Sequence, residues 1–308
     1  MPKSYEVCGD EAWVHGNLPL NRYWCFFGGL FGETPAIDAL ETDLRASASS
    51  NQFLSEFKWS SISPASLAAY IGLVDVLFEH IRTRGIKFRQ VFLDRALVHY
   101  PSPGDPVLTD LDIQFRICYQ FIKHSFGLQY LPQAVGGNHK ITIRMDTHSS
   151  QKHKKRLKGE IESIPQKIGR NDLDIEIAHI CSTKLLRIQA CDIVLGAAGS
   201  YGNKAHKQRH NGKKRMTDSQ KVRFKLAKHI YNQLRDIDSE SRGSKAFNWF
   251  ESTGHDGNKA NRYFHKVRIW KFMPRKFQID KGWRNSSLTK QGLYVKQELD
   301  PQIKLASG

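Results

Sequence analysis

The chain has little cysteine, and none of it is paired in sequence. Cys8, Cys25, Cys118, Cys181 and Cys191 are scattered, mostly inside apolar runs, and no C-x-x-C occurs. That spacing disfavours a disulfide scaffold and a structural zinc site, and it fits reduced, buried thiols in a cytoplasmic protein. Long apolar runs are missing as well. None reaches the roughly 20 residues of a bilayer span, and the opening MPKSYEVCGDEAW has no signal-peptide core. An integral membrane protein and a classically secreted one are therefore not expected. Walker-type and G-x-G-x-x-G loops are absent, and no repeat of fixed period is visible.

What is present fits a soluble globular protein of one or two domains: 308 residues, 40% hydrophobic and 25% charged. The formal charge is +17, and its location says more than its size. Residues 1–150 hold 13 Lys and Arg against 15 Asp and Glu, whereas residues 151–308 hold 34 against 15. A basic half joined to a near-neutral half points to a polyanion partner, nucleic acid first, with a basic surface kept for solubility as the alternative.

Periodicity predicts the elements. Residues 4–13 and 22–31 read as two strands joined by a turn. Thr34 and Pro35 offer an N-cap and N1 pair for a helix over 35–47, followed by a Ser-rich loop over 46–62. Ser63-Pro64 opens a helix that Leu67, Tyr70, Ile71, Val74, Leu77, Phe78 and Ile81 keep in phase and Gly85 ends. Residues 86–98 read as a third strand. Asp105-Pro106 opens a helix with Leu108, Leu111, Phe115, Cys118, Tyr119 and Ile122 inward. Residues 139–146 form a fourth strand, a basic helix follows to about 163, residues 174–182 form a fifth strand, and 184–200 an apolar helix. The order predicts an α/β fold with a mixed five-stranded sheet flanked by helices. Beyond 202 the composition turns polar and basic, which places a boundary between a core, 1–202, and a basic C-terminal extension, 203–308.

Four acids sit in apolar settings. Asp10 and Glu11 lie in the first strand, on opposite faces of it; solvent access or an Arg partner such as Arg22 is the structural alternative. Asp146 ends the fourth strand, sharing a face with Thr142 and Arg144, and could instead cap the next helix. Asp192 lies on a helical stripe with Leu185, Ile188, Leu195, Gly196 and Gly199. An unpaired polar group there would cost about 2–7 kcal/mol, so a metal ion, an Arg or water must compensate. An acid on the first strand, one on a later neighbouring strand and one on the following helix can converge on a pair of hard divalent ions, Mg²⁺ or Mn²⁺, suited to phosphodiester cleavage.

Three segments carry a resemblance: Val7-Cys8-Gly9-Asp10-Glu11-Ala12, then Tyr23-Trp24-Cys25-Phe26-Phe27-Gly28-Gly29, then Gln189-Ala190-Cys191-Asp192 running to Gly196-Ala197-Ala198. In order and spacing residues 4–202 resemble the RNase H-like superfamily. More narrowly they resemble a mostly bacterial family of unknown function within it, with an Asp-Glu-Ser-Gly strand and a Gln-x-Ala-Asp helix. Ala12 and Trp13 depart from the usual Ser and Gly, and Cys191 from the usual Ala. The resemblance implies an RNase H-like fold and a metal-dependent nuclease, with Asp10, Glu11, Asp146 and Asp192 as catalytic acids and Asp10, Asp146 and Asp192 as metal ligands. A nucleic-acid-binding module without catalysis, or a structural subunit, stays open.

The extension opens with ten basic residues, Lys204, Lys207, Arg209, Lys213, Lys214, Arg215, Lys221, Arg223, Lys225 and Lys228, against the single acid Asp218. They are the candidate phosphate contacts. Val222, Leu226 and Ile230 could hold a helix against the core with Lys221, Arg223, Lys225 and Lys228 outward. Phe247, Trp249, Phe250, Tyr263, Phe264, Trp270 and Phe272 alternate with basic residues, as base-stacking groups or as a small core. Asp94 is expected to be structural, and His206 and His210 lack a third ligand for zinc.

Overall fold

The structure, a computed structural model, describes residues 1–13, 22–99, 109–146, 151–180, 182–207, 215–242, 247–253, 257–274 and 277–279. Its elements in order are β1 (Ser4–Trp13), β2 (Tyr23–Glu33), α1 (Thr34–Ser50), α2 (Leu67–Thr83), β3 (Lys87–Asp94), β4 (Leu97–His99) and α3 (Asp110–Ser125). Next come β5 (His139–Asp146), α4 (Gln151–Glu162), α5 (Ile164–Lys167), β6 (Leu173–Ile180) and α6 (Leu186–Gly202). Last are α7 (Asp218–Arg242), α8 (Asn261–Phe264), β7 (Val267–Lys271) and β8 (Phe277–Ile279).

The main sheet runs β6-β5-β1-β2-β3-β7. β2 is antiparallel to both β1 and β3, while β1–β5, β5–β6 and β3–β7 are parallel. It is the expected mixed sheet with six strands rather than five. The sixth, β7, comes from the segment read as a basic extension. Its Val267 and Ile269 are buried on one face while Trp270 packs on the other, so its charged residues do not prevent it from joining the sheet. β4 and β8 form a separate two-stranded ribbon.

Alternation along the strands divides the interior in two. Cys8, Phe26, Leu30, Phe88 and Phe92 face a layer built by α1, α2, α6 and α7. Tyr5, Val7, Phe27, Phe31, Val91, Ile141 and Ile143 face a layer built by α3 and α4. On α7, Leu226, Ile230, Leu234 and Ile237 recur at helical spacing and are fully buried against the first layer. The packed core thus runs past Gly202. Cys8, Cys25, Cys118 and Cys191 are buried free thiols. Among the described residues no helix is long and apolar enough to cross a membrane.

Several boundaries move for local reasons. α1 continues to Ser50, three residues beyond its predicted end, because Ala48 is buried; the loop begins at Asn51 rather than at 46. The predicted strand over 86–98 breaks after Asp94, whose carboxylate accepts the Ala96 N–H at 3.0 Å and makes a turn. α3 starts at Asp110 under a capping box. There Thr109 Oγ1 accepts the Asp112 N–H, and the Asp112 carboxylate accepts the Thr109 N–H. Leu111 is exposed rather than inward, and the proposed opening at Asp105-Pro106 lies outside the described residues.

Candidate metal centre and nucleic-acid interface

The acid positions are set by how α6 lies on β1. The phase of β1 that carries Glu6 and Cys8 points at α6. The Arg187 guanidinium donates to Glu6 at 2.7 Å and its Nε donates to Cys8 Sγ at 3.2 Å, while Arg144 of β5 reaches Glu6 at 3.0 Å. Asp10 is the next residue in that phase and is 8% exposed. Its Oδ1 accepts the Glu11 N–H at 2.7 Å. Gly28 stands opposite Asp10, and a Cβ there would lie 2.5 Å from Leu195 Cδ2. The missing side chain is what lets α6 close down beside Asp10.

Asp192 is half-buried on the same helix. The Cys191 thiol of α6 is buried and donates to the Cys8 carbonyl at 3.7 Å; its pKa is pushed up by burial first, then by the Asp10 charge, with a smaller push from Asp192. The thiol therefore feels both charges where α6 packs on β1. Asp192 has a further task. Its Oδ2 accepts the Trp59 N–H at 3.0 Å, and Gln189 Oε1 accepts the Phe57 N–H at 2.8 Å. Three residues apart on α6, the two side chains clasp the extended strand of chain that leads into the 3-10 turn Trp59–Ser61. The Tyr70 hydroxyl exchanges two bonds with Lys58, and Arg223 donates to the Ser60 carbonyl, so the clasp is held from three helices. Gly196 admits Trp59, since a Cβ there would lie 2.2 Å from the indole Cγ. Sequence reasoning named Asp192 but gave no role to Gln189, which it quoted only within the helix motif, and missed Trp59. The three-residue spacing of Gln189 and Asp192 was the available signal for the first; nothing marked the second.

Glu11 points to the other side of the sheet, as alternation requires. It accepts from Gln114 of α3 at 2.5 Å, and its charge adds to the burial that raises the Cys118 thiol. It is not assembled with Asp10 and Asp192. Asp146 ends β5 opposite Ile180, one residue past the Gly9–Met145 pair that joins β5 to β1; its side chain lies outside the described residues. Among the described residues no group of three or more His, Cys, Asp and Glu is placed to hold a metal ion. Arg22 grips Asp94 with two bonds of 2.9 and 3.0 Å, and Lys271 of β7 reaches the same carboxylate at 3.1 Å. Asp94 is thus structural, as expected.

On the basic side, Lys207, Arg215, Lys221, Lys225 and Lys228 are exposed. Lys204 is half-buried, and burial followed by the Lys207 charge lowers its pKa. Arg223 departs from expectation: it turns inward to Ser60 because that face of α7 meets the clasped loop. Arg209, Lys213, Lys214 and His210 lie outside the described residues. Most of the later aromatics are not surface groups. Trp249 is fully buried with its Nε1 donating to Gln90, Phe247 is buried, and Tyr263, Trp270 and Phe272 pack on the second layer. Phe264 is the exception, at 60% exposure.

No family model matches the chain, and no curated protein is similar to it.

Proposed function

We propose that the chain is a divalent-metal-dependent phosphodiesterase acting on nucleic acid, built on an RNase H-like core. The observation that carries the proposal is the topology: β1 and β5 are parallel neighbours and α6 packs on β1, so Asp10, Asp146 and Asp192 lie on adjoining elements. The alternation that turns Arg144 toward Glu6 puts position 146 in the same phase of β5. Asp10, Asp146 and Asp192 would hold Mg²⁺ or Mn²⁺. Their carboxylate oxygens are the hard donors these ions take, and the ions would activate water and stabilise the leaving oxygen. The chain's own contribution is to fix the carboxylates. Asp10 is held by the Glu11 N–H, Asp192 by the Trp59 N–H, and the exposed lysines of α7 offer phosphate contacts.

A second reading has its own observation. The Gln189–Asp192 clasp gives Asp192 a structural reason to exist without a metal, which favours a nucleic-acid-binding module that does not cut. Asp192→Asn separates the two, because the amide oxygen can still accept the Trp59 N–H. With labelled DNA and RNA and added Mg²⁺ or Mn²⁺, the expected result is loss of cleavage with oligonucleotide affinity and urea stability unchanged. Cleavage by Asp192→Asn at the wild-type rate, or a wild-type chain that binds but never cuts, overturns the phosphodiesterase proposal.

A further inference from the structure

We infer that Phe224, set among Lys221, Lys225 and Lys228 on the outer face of α7, is a stacking platform for an unpaired base of a single-stranded nucleic acid. The inference rests on the nucleic-acid reading above and goes beyond it by naming the strand state and the side chain that senses it.

The first support is helix geometry. Residues three and four apart are surface neighbours, with Cβ atoms about 5–6 Å apart, so 221, 224, 225 and 228 form one patch. Lys221, Lys225 and Lys228 are exposed and Phe224 is half-buried among them. The second support is what lies beneath the ring. Phe224 is parallel to Tyr201, with centroids 6.3 Å apart and planes 4° apart, and it meets His206 at 4.1 Å. Tyr201 in turn stacks on Tyr231 at 5.1 Å and adjoins the buried Trp249. Phe224 and His206 are therefore the half-buried members of a group of rings that runs through Tyr201 and Tyr231 to the buried Trp249. The orientation of Phe224 is set before any ligand arrives, so little side-chain freedom is lost on binding.

The surrounding charge selects the occupant. Lysines on three sides attract a polyanion, and Lys207 extends the field next to His206. Asp218, the acid nearby, is tied to Lys221 at 2.7 Å. A polyanion that also offers flat apolar faces matches both features. An unpaired base stacks on an aromatic ring whatever its identity, while its flanking phosphates meet the lysines. Bases inside a duplex are already stacked on each other and offer no face to Phe224, so a duplex would gain from the lysines alone.

The test uses the full chain in EDTA. It measures fluorescence anisotropy with an oligothymidylate and with a duplex of equal length over a range of salt concentrations. Phe224→Leu keeps an apolar side chain against Tyr201 and His206 but removes the π face. It should weaken single-strand binding about tenfold or more, while leaving duplex affinity and the salt slope unchanged. Joint replacement of Lys221, Lys225 and Lys228 by Ala should lower the salt slope on single strands by about 2. Undiminished single-strand binding by Phe224→Leu, or equal weakening on both ligands, overturns the platform and leaves the nucleic-acid reading standing. A wild-type chain that binds neither oligonucleotide, or that binds polyglutamate as tightly, brings down both. Should Phe224→Leu fail to fold, Phe224→Trp decides: it should bind single strands at least as tightly as wild type, and loss of that affinity in a folded Phe224→Trp overturns the proposal.

Discussion

Removing residues 203–308 should unfold the remainder. Leu226, Ile230, Leu234 and Ile237 of α7 and Ile269 of β7 have no exposed surface, and Val267 has 2%. Burying such a side chain is worth about 1.5–3 kcal/mol, so these six together contribute roughly 9–18 kcal/mol. A compact unfolded chain reduces that by up to about 40%. What is left is still the size of a whole domain's stability, about 5–15 kcal/mol. Truncation would also expose the β3 edge that β7 covers and remove Lys271 from Asp94. The assay is near-ultraviolet circular dichroism and urea titration of a 1–202 fragment beside the full chain, with Ile230→Ala as a graded control. The fragment should show no cooperative transition. Ile230→Ala in the full chain should lose about 2–5 kcal/mol at constant m. A 1–202 fragment with native-like aromatic dichroism and cooperative unfolding would refute the reasoning, and residues past 202 would then be an appendage rather than part of the core.

Two further perturbations test the interior. Asp94→Ala strands the Arg22 guanidinium, whose side chain is 2% exposed, and the Lys271 ammonium without their counter-charge. A loss of about 3–5 kcal/mol in urea stability is expected, and a loss under about 1 kcal/mol would show that the triad does not act as a buried ion cluster. His124 lies edge-on to Trp270 and is half-buried; burial first, then Lys123 and Arg262, lower its pKa from 6.5 to about 4. Between those values the unfolded chain takes up a proton that the folded chain refuses. Stability must therefore fall as pH drops from 6.5 towards 4 and be regained as pH rises through that window. His124→Gln should remove this part of the wild-type pH dependence, and superimposable curves for the two proteins would count against it.

The elements that periodicity recovered best are those whose environment is simplest. β5 was legible to the residue because Ile141, Ile143 and Met145 face one buried layer while Thr142 and Arg144 do not. α2 was legible because its apolar stripe is long. The far side of the boundary was misread for the opposite reason. Val222, Leu226 and Ile230 were legible as the start of a stripe, but the lysine- and arginine-rich composition over 203–308 hides its continuation through Leu234 and Ile237 of α7 and an alternation only five residues long in β7. A helix can carry exposed lysines on one face and the core on the other, so net charge locates a surface without saying whether the segment belongs to the fold. The aromatics of 247–272 were ambiguous for the same reason. Burial depends on which faces β7 and the chain before it present, and that is decided by pairing with β3.

Asp192 shows how far a single residue can be read. A carboxylate on an apolar stripe signals that some partner compensates it, and its spacing from Gln189 hints that the two act together. The partner itself, the Trp59 backbone N–H, comes from a loop 133 residues away in sequence and leaves no local trace. Gly196 belongs to the same device, because the indole occupies the place its Cβ would take. The clasp and a metal site do not exclude each other. Carboxylates that bind metals are themselves usually hydrogen-bonded, which fixes their orientation, and a backbone N–H supplies that bond without adding a competing charge. The bond that gives Asp192 a structural role would also orient its carboxylate for the proposed ligation. A variant that preserves the acceptor oxygen while removing the charge is therefore the informative one. Replacement by Ala would lose both functions together and could not distinguish them.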